Sequence, residues 1–124
     1  MSTSTYKKKG TQLYFEGKYL EAIKNFNKGI ESEPENSFSW DFRYRGSCKY
    51  WLNQYEDAIK DLDKAIELDP EHSESWDCRG KCKYYLNQYE EAIKDLDKAI
   101  ELDPKFSESW DHRGSCKYFL KQYE

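Results

Sequence analysis

The chain has 124 residues, of which 37% are hydrophobic and 35% charged. This is thin for one thick core but sufficient for a small domain or a short repeat array. Lys plus Arg number 20 against 24 Asp plus Glu, a net charge of −4, and this excludes the broad basic face that sustained phosphate binding needs.

The amino terminus, Met1-Ser2-Thr3-Ser4-Thr5, is small and polar, and no apolar stretch follows it. Neither a secretory signal nor a membrane helix is expected. The basic triplet Lys7-Lys8-Lys9 is the only run of its sign and is too short to bind nucleic acid. The cysteines Cys48, Cys78, Cys82 and Cys116 read as free thiols in a reducing, cytoplasmic setting. Aromatic residues reach 17%; large rings bury much area per residue and suit a layer only two helices thick.

From Thr3 onward the chain repeats itself. The glycines give the period: 80 − 46 = 34 and 114 − 80 = 34, whereas Gly10 to Gly46 is 36, so one repeat carries two extra residues. Tyr55 to Pro70 recurs at Tyr89 to Pro104 with the single change of Asp57 to Glu91, and more loosely at Tyr19 to Pro34. The units are Thr3–Asn36, Ser37–His72, Ser73–Phe106 and the half unit Ser107–Glu124.

Each full unit reads as two helices. The first runs from the Ser-x-Ser-Trp start to Leu52, Leu86 or Leu120; the second runs from about Glu56 or Glu90 to Leu68 or Leu102. Ala58, Ile59, Leu62, Ala65 and Ile66 form one apolar stripe at helical period. Glu56 with Lys60 and Glu90 with Lys94 are i,i+4 pairs in the favourable order. Asp61 and Asp63 are expected on the solvated outer face. Asn53-Gln54 and Asn87-Gln88 mark the turn within a pair, and Pro34, Pro70 and Pro104 end each second helix. Two residues added inside a helix would rotate what precedes them by about 200°. Phe42 is therefore expected in the slot that Trp76 and Trp110 fill, with Trp40 displaced into the inter-repeat turn or the groove.

These residues resemble the tetratricopeptide repeat, a helix–turn–helix unit with Trp-x2-Leu-Gly-x2-Tyr, then Ala-x3-Phe, then Pro. Trp76, Gly80, Ala92, Leu96 and Pro104 carry the pattern in the third unit; Tyr6, Gly10, Leu13, Ala22, Phe26 and Pro34 carry it in the first. The resemblance spans Thr3 to Glu124. Three departures recur: Arg45, Arg79 and Arg113 replace the Leu before Gly, Lys49, Lys83 and Lys117 replace the Tyr, and Leu62 and Leu96 replace the Phe. A matching change in every unit is expected to absorb them.

The resemblance implies an all-α, right-handed superhelical solenoid of about three and a half units, forming a single array over residues 1–124. It also implies a non-enzymatic interaction scaffold, without cofactor, that takes a peptide or partner protein along a concave face lined by the first helices. By position the groove candidates are the residues four and five after each glycine: Tyr14 and Phe15, Tyr50 and Trp51, Tyr84 and Tyr85, Tyr118 and Phe119. Lys7, Asp77, Lys81 and Asp111 are the charged candidates beside them. Rings at helical spacing also serve as core, so the second ring of each pair is either packing or a groove contact.

A subgroup of the family clamps the acidic carboxyl-terminal tails of heat-shock chaperones with two Lys, two Asn and an Arg. Only Lys7 fits that set. Thr11 and Tyr44 stand where Asn is wanted, Glu74 where Lys is wanted, and Cys78 where Arg is wanted. A ligand with apolar anchors and some Lys or Arg is expected instead of a chaperone tail.

Cys78-x3-Cys82 and His112-x3-Cys116 bring a Cys3His zinc site to mind. Equivalent helices of neighbouring repeats lie roughly 10 Å apart, too far for convergence, and cysteine at these positions serves as a small buried hydrophobe. With only His72 and His112 as histidines and no phosphate-binding glycine loop, no catalytic constellation stands out. The alternative function is a self-associating structural array, or a piece of a longer one. Trp110, Cys116, Leu120 and Tyr123 of the terminal half unit are expected to keep one side open to water or to association.

Overall fold

A computed structural model describes residues 2–122, and Tyr123 lies outside them. Among the described residues there are seven α-helices, one short 3-10 turn and no strand. In chain order they are α1 (Thr3–Phe15), α2 (Tyr19–Ser32), α3 (Ser39–Trp51), α4 (Tyr55–Leu68), α5 (Ser73–Tyr85), α6 (Tyr89–Leu102) and α7 (Ser107–Gln122), with the 3-10 turn at Pro34–Asn36.

The helices pair as antiparallel hairpins, α1 with α2, α3 with α4 and α5 with α6, and α7 packs on α6. The first helices also touch one another in series, α1 to α3, α3 to α5 and α5 to α7, whereas the second helices do not meet. The stack therefore curves, with the odd-numbered helices on its inner side. Each second helix buries its apolar stripe between two first helices. Ala58, Leu62, Ala65 and Ile66 are buried, as are Ala92, Leu96 and Ala99. A hairpin alone cannot cover such a stripe, and stacking supplies the cover.

Turn chemistry follows backbone need. Within the hairpins the chain reverses at Gly17, Asn53 and Asn87, with φ of 77°, 62° and 62°. This left-handed region is open to glycine and tolerated by asparagine. Lys121 holds the equivalent position in the fourth unit, and there α7 continues as helix to Gln122.

The two extra residues of the second unit lie outside any helix. All four first helices begin seven residues before their glycine (10 − 3, 46 − 39, 80 − 73, 114 − 107). The surplus is taken up between α2 and α3, around the 3-10 turn, so no helix is rotated. Phe42 does occupy the Trp76 slot: Arg45 stands over Phe42 at 5.7 Å as Arg79 stands over Trp76 at 5.0 Å and Arg113 over Trp110 at 5.6 Å. Trp40 sits in the first turn of α3, its ring parallel to Phe38 at 6.1 Å.

On the outer surface Lys60 pairs with Asp57 at 3.8 Å and Lys94 with Glu91 at 3.2 Å. These are i,i+3 pairs in place of the i,i+4 pairs with Glu56 and Glu90 that the spacing suggested.

Candidate functional site

The contact between the two helices of a hairpin is held by charge. Arg45 donates Nε and Nη2 to the two carboxylate oxygens of Asp61 at 2.9 and 2.8 Å, and Lys49 closes on Asp61 at 3.0 Å. Arg79, Asp95 and Lys83 repeat the arrangement at 2.9, 2.8 and 2.9 Å. Asp61 and Asp95 are buried, which corrects the expectation that Asp61 is solvated; Asp63 does remain exposed. These aspartates are the matching change that absorbs the repeated Arg and Lys. The first unit lacks the carboxylate and the second cation, with Lys9, Leu13 and Asn25 at the corresponding positions. Each arginine also reaches back to the preceding second helix: Arg45 to Asn27 at 2.9 Å, Arg79 to Asp63 at 2.8 Å and Arg113 to Asp97 at 2.5 Å.

On the inner side lies an open cleft of about 170 Å³ between α1, α3, α5 and the start of α7. Its apolar wall is Tyr14, Tyr44, Tyr50, Trp51 and Phe106; its polar wall is Arg43, Ser47, Glu74, Asp77, Lys81 and Glu108. The charged residues are paired with one another, although Arg43 Nε is left without a partner, and Ser47 meets the Tyr14 hydroxyl at 3.0 Å. Arg43 meets Glu74 and lies 4.5 Å over the Tyr44 ring. Lys81 contacts Asp77 at 2.9 Å and Glu108 at 2.6 Å, and its ammonium stands 5.7 Å from the ring centres of both Tyr50 and Phe106. Lys81 holds the Glu108 carboxyl below the usual carboxylate range. Ser109 donates to Asp77 at 2.6 Å.

The twelve groove candidates are not equivalent. Tyr14, Tyr50, Trp51, Asp77 and Lys81 line the cleft. Asp77 and Lys81 are nonetheless buried and neutralised in their network. Lys7 is set apart: it is 4% exposed, paired with the fully buried Asp41 at 2.8 Å and donating to the Asn36 carbonyl at 2.8 Å. Asp111 is exposed on α7. Tyr84 and Phe119 are half-buried, whereas Phe15, Tyr85 and Tyr118 are 71%, 46% and 59% exposed.

The second rings have a packing partner. Trp51 stacks on Tyr19 at 6.0 Å, Tyr85 on Tyr55 at 5.1 Å and Phe119 on Tyr89 at 5.3 Å, each joining one hairpin to the preceding one. Edge-on contacts within hairpins, Tyr14 with Tyr19, Tyr50 with Tyr55 and Tyr84 with Tyr89, continue the chain of rings. The result is an aromatic ladder along the whole stack, with Trp51, at 53% exposure, opening into the cleft.

Phe106 completes the cleft although the groove spacing did not select it; Tyr44, at a clamp position, and Glu108, on the face expected to repel a carboxylate tail, join it there. Tyr44 lies two before its glycine, where the other units carry Cys78 and His112; Phe106 and Glu108 belong to the connector and first turn of the following unit. The thiols of Cys48, Cys78, Cys82 and Cys116 are buried and unbonded to one another. Burial pushes Cys48 up to about 12 and Cys116 up to about 11. The neighbouring Cys78 thiol, together with burial, holds Cys82 protonated. Among the described residues no group of three or more His, Cys, Asp or Glu converges as a metal site.

Helical hairpins stacked on shared stripes, with an open cleft along the inner helices, define an α-helical repeat protein. The tetratricopeptide repeat family matches residues 42–72 and 75–106, and the chain belongs to that family. The first TPR of Spaghetti (RPAP3) bound to the HSP90 peptide SRMEEVD superposes with a TM-score of 0.87 at 28% identity, covering 97% of this chain and 94% of that one. The second TPR domain of human RPAP3, in complex with the HSP70 peptide SGPTIEEVD, gives 0.81 at 27% identity, covering 90% and 92%. MamA from Desulfovibrio magneticus RS-1 gives 0.89 at 22% identity over 97% of this chain and 67% of that one, a likeness of fold alone. No curated protein sequence matches the chain.

Proposed function

We propose that this chain is a non-enzymatic protein-interaction scaffold that takes an extended or helical peptide along its inner cleft, with apolar anchors against Tyr14, Tyr50 and Trp51. The observation that carries this reading is the cleft's composition, a half-exposed aromatic wall facing a ring of paired charges. Exposed aromatic surface of this kind is favoured at binding hot spots. The relatives bound to SRMEEVD and SGPTIEEVD lend support to peptide binding as such.

The ligand differs from those acidic tails. Capturing a carboxylate tail takes cations free to meet it. Here Lys7 is engaged by Asp41, Arg43 by Glu74, and Lys81 by Asp77 and Glu108. An acidic tail would have to displace a carboxylate at each step. A ligand bringing Lys or Arg finds Glu74 and Glu108, both more than half exposed at the side chain, and its apolar side chains find the rings. Among the described residues no helix is long and apolar enough to cross a membrane, and a cytoplasmic setting for free thiols is part of the same reading.

Calorimetric titration tests this. A peptide pairing Leu or Phe anchors with Lys is expected to bind, and SRMEEVD to bind at least about tenfold more weakly, a difference of about 1.4 kcal/mol. Trp51→Ala together with Tyr85→Ala is expected to weaken binding by about 2 kcal/mol or more. Tight binding of SRMEEVD, or unchanged affinity in the double variant, contradicts the reading.

A further inference from the structure

The two long edges of the cleft differ in chemistry, and the register of the first helices sets their residues in rows. Because α1, α3, α5 and α7 all start at the same offset from their glycine, residues at one offset form a line across the stack. Six before the glycine (10 − 4, 46 − 40, 80 − 74, 114 − 108) that line is Ser4, Trp40, Glu74 and Glu108. Trp40 is 38% exposed, and its ring meets Tyr44 of the cleft at 6.4 Å. Glu74 and Glu108 line the cleft with side chains 58% and 59% exposed. Towards the other end of the first helices stand the rings, Tyr50 and Trp51 on α3 with Tyr14 beside them.

Charge in the cleft does not cancel. Of the charged residues lining it, Arg43 and Lys81 face Glu74, Asp77 and Glu108, so the sum is 2 − 3 = −1. Glu74 and Glu108 each meet their cation through Oε2, which leaves Oε1 of each to accept from a ligand. Successive first helices lie roughly 10 Å apart, so a ligand must present its cations at that interval and on one side. In a β-strand, residues three apart are separated by about 10 Å but point to opposite sides. An α-helix is about 10–12 Å across, too wide for a cleft of about 170 Å³. A polyproline II chain has three residues per turn and rises about 3.1 Å per residue, so every third side chain points the same way about 9 Å further on. It is also the conformation in which proline-rich segments dock on aromatic-lined grooves.

Resting on the scaffold reading above, we propose that the ligand of the cleft is a proline-rich basic segment of another protein in polyproline II conformation, with Lys or Arg at two positions three residues apart. Those two cations meet Glu74 and Glu108. Three residues beyond them, on the same edge of the ligand, a Leu or Pro rests against Trp40. Prolines on the neighbouring edge cover Tyr44, Tyr50 and Trp51. Seven residues span α3, α5 and α7, since six steps of about 3.1 Å match two intervals of roughly 10 Å.

NMR titration of the full chain, read at the Trp51 indole and the Glu74 and Glu108 amides, tests this with peptides of one composition. Leu-Pro-Ala-Lys-Pro-Ala-Lys and the same residues in reverse order present both Lys on one edge; Leu-Pro-Ala-Ala-Pro-Lys-Lys does not. One of the first two is expected to saturate by about 1 mM and to bind at least about fivefold more tightly than the third. Glu74→Gln together with Glu108→Gln, both at exposed side chains, is expected to abolish that preference with helicity unchanged. Gly in place of both Pro is expected to weaken binding at least about threefold, because the peptide is no longer preset in its bound form. Binding of the third peptide as tightly as the first two, a preference that survives the double Gln variant, or unchanged affinity of the glycine peptide overturns the proposal and leaves the scaffold reading standing. Tighter binding of a helical peptide with Lys seven residues apart does the same. No shift in the cleft with any of these peptides overturns both.

Discussion

Asp95 shows what single side chains contribute. It is 5% exposed and accepts from Arg79 and Lys83, themselves about one-sixth exposed. Asp95→Ala leaves both cations unpaired beside a core. Truncating one member of a fully buried pair costs 3–5 kcal/mol, and partial exposure of the cations reduces this to about 2–3 kcal/mol. Asp63→Ala removes a contact of similar length to Arg79, but Asp63 is 57% exposed, so the change is expected to stay within about 0.5 kcal/mol. Urea unfolding of the two variants measures the contrast. These aspartates were illegible in the sequence because a helical stripe describes one helix at a time. Asp61 looks outward beside Asp63 until Arg45, sixteen residues earlier (61 − 45), folds back onto it. The cysteines read correctly as small buried hydrophobes, and their burial has a pH signature. Cys48 is raised to about 12 and Cys116 to about 11, against ~8.5 in an unfolded chain. The folded state retains protons that the unfolded state releases. This contribution is therefore complete below about pH 8.5 and is lost as pH rises through about 11 to 12. Urea midpoints are expected to fall between about pH 9 and 11, and less steeply in Cys48→Ala.

At the scale of elements, helix-to-helix distance is set by small residues. A methyl at Gly80 would sit 2.8 Å from Leu96 Cγ and 3.3 Å from the Ala92 carbonyl, a backbone atom that cannot step aside. Gly80→Ala is expected to cost about 1–3 kcal/mol through overpacking, more than the gain of up to about 1 kcal/mol in helix propensity. Gly114→Ala meets open space and is expected to realise that gain as a higher Tm. Thermal melts of the pair decide it; equal signs would mean that α7 is already covered. The helices were legible almost to their ends because period, glycine and proline coincide. The two extra residues were legible as a number but not as a place. The equal start of α1, α3, α5 and α7 relative to their glycines puts them in the connector. The cleft was half legible. Tyr14, Tyr50 and Trp51 follow from spacing, whereas Phe106 reaches it only because the next connector folds over its end.

For the whole molecule, stability is a sum over neighbours, since each hairpin touches only those before and after it. Two ties join successive hairpins and they differ in kind. The arginines bridge consecutive second helices through directed contacts, Arg79 spanning Asp63 and Asp95 at 2.8 Å each. The rings join by flat stacks, Trp51 on Tyr19 at an interplanar angle of 11° and Tyr85 on Tyr55 at 12°. A charged fork holds one distance and direction. A stack of two flat faces resists separation but yields to shear, because sliding exchanges one set of shallow contacts for another. The molecule thus behaves as a leaf spring with one stiff edge and one compliant edge. Its curvature is expected to change by glide along the row of rings, and under the proposed function a peptide seated beside Trp51 would bias that bend.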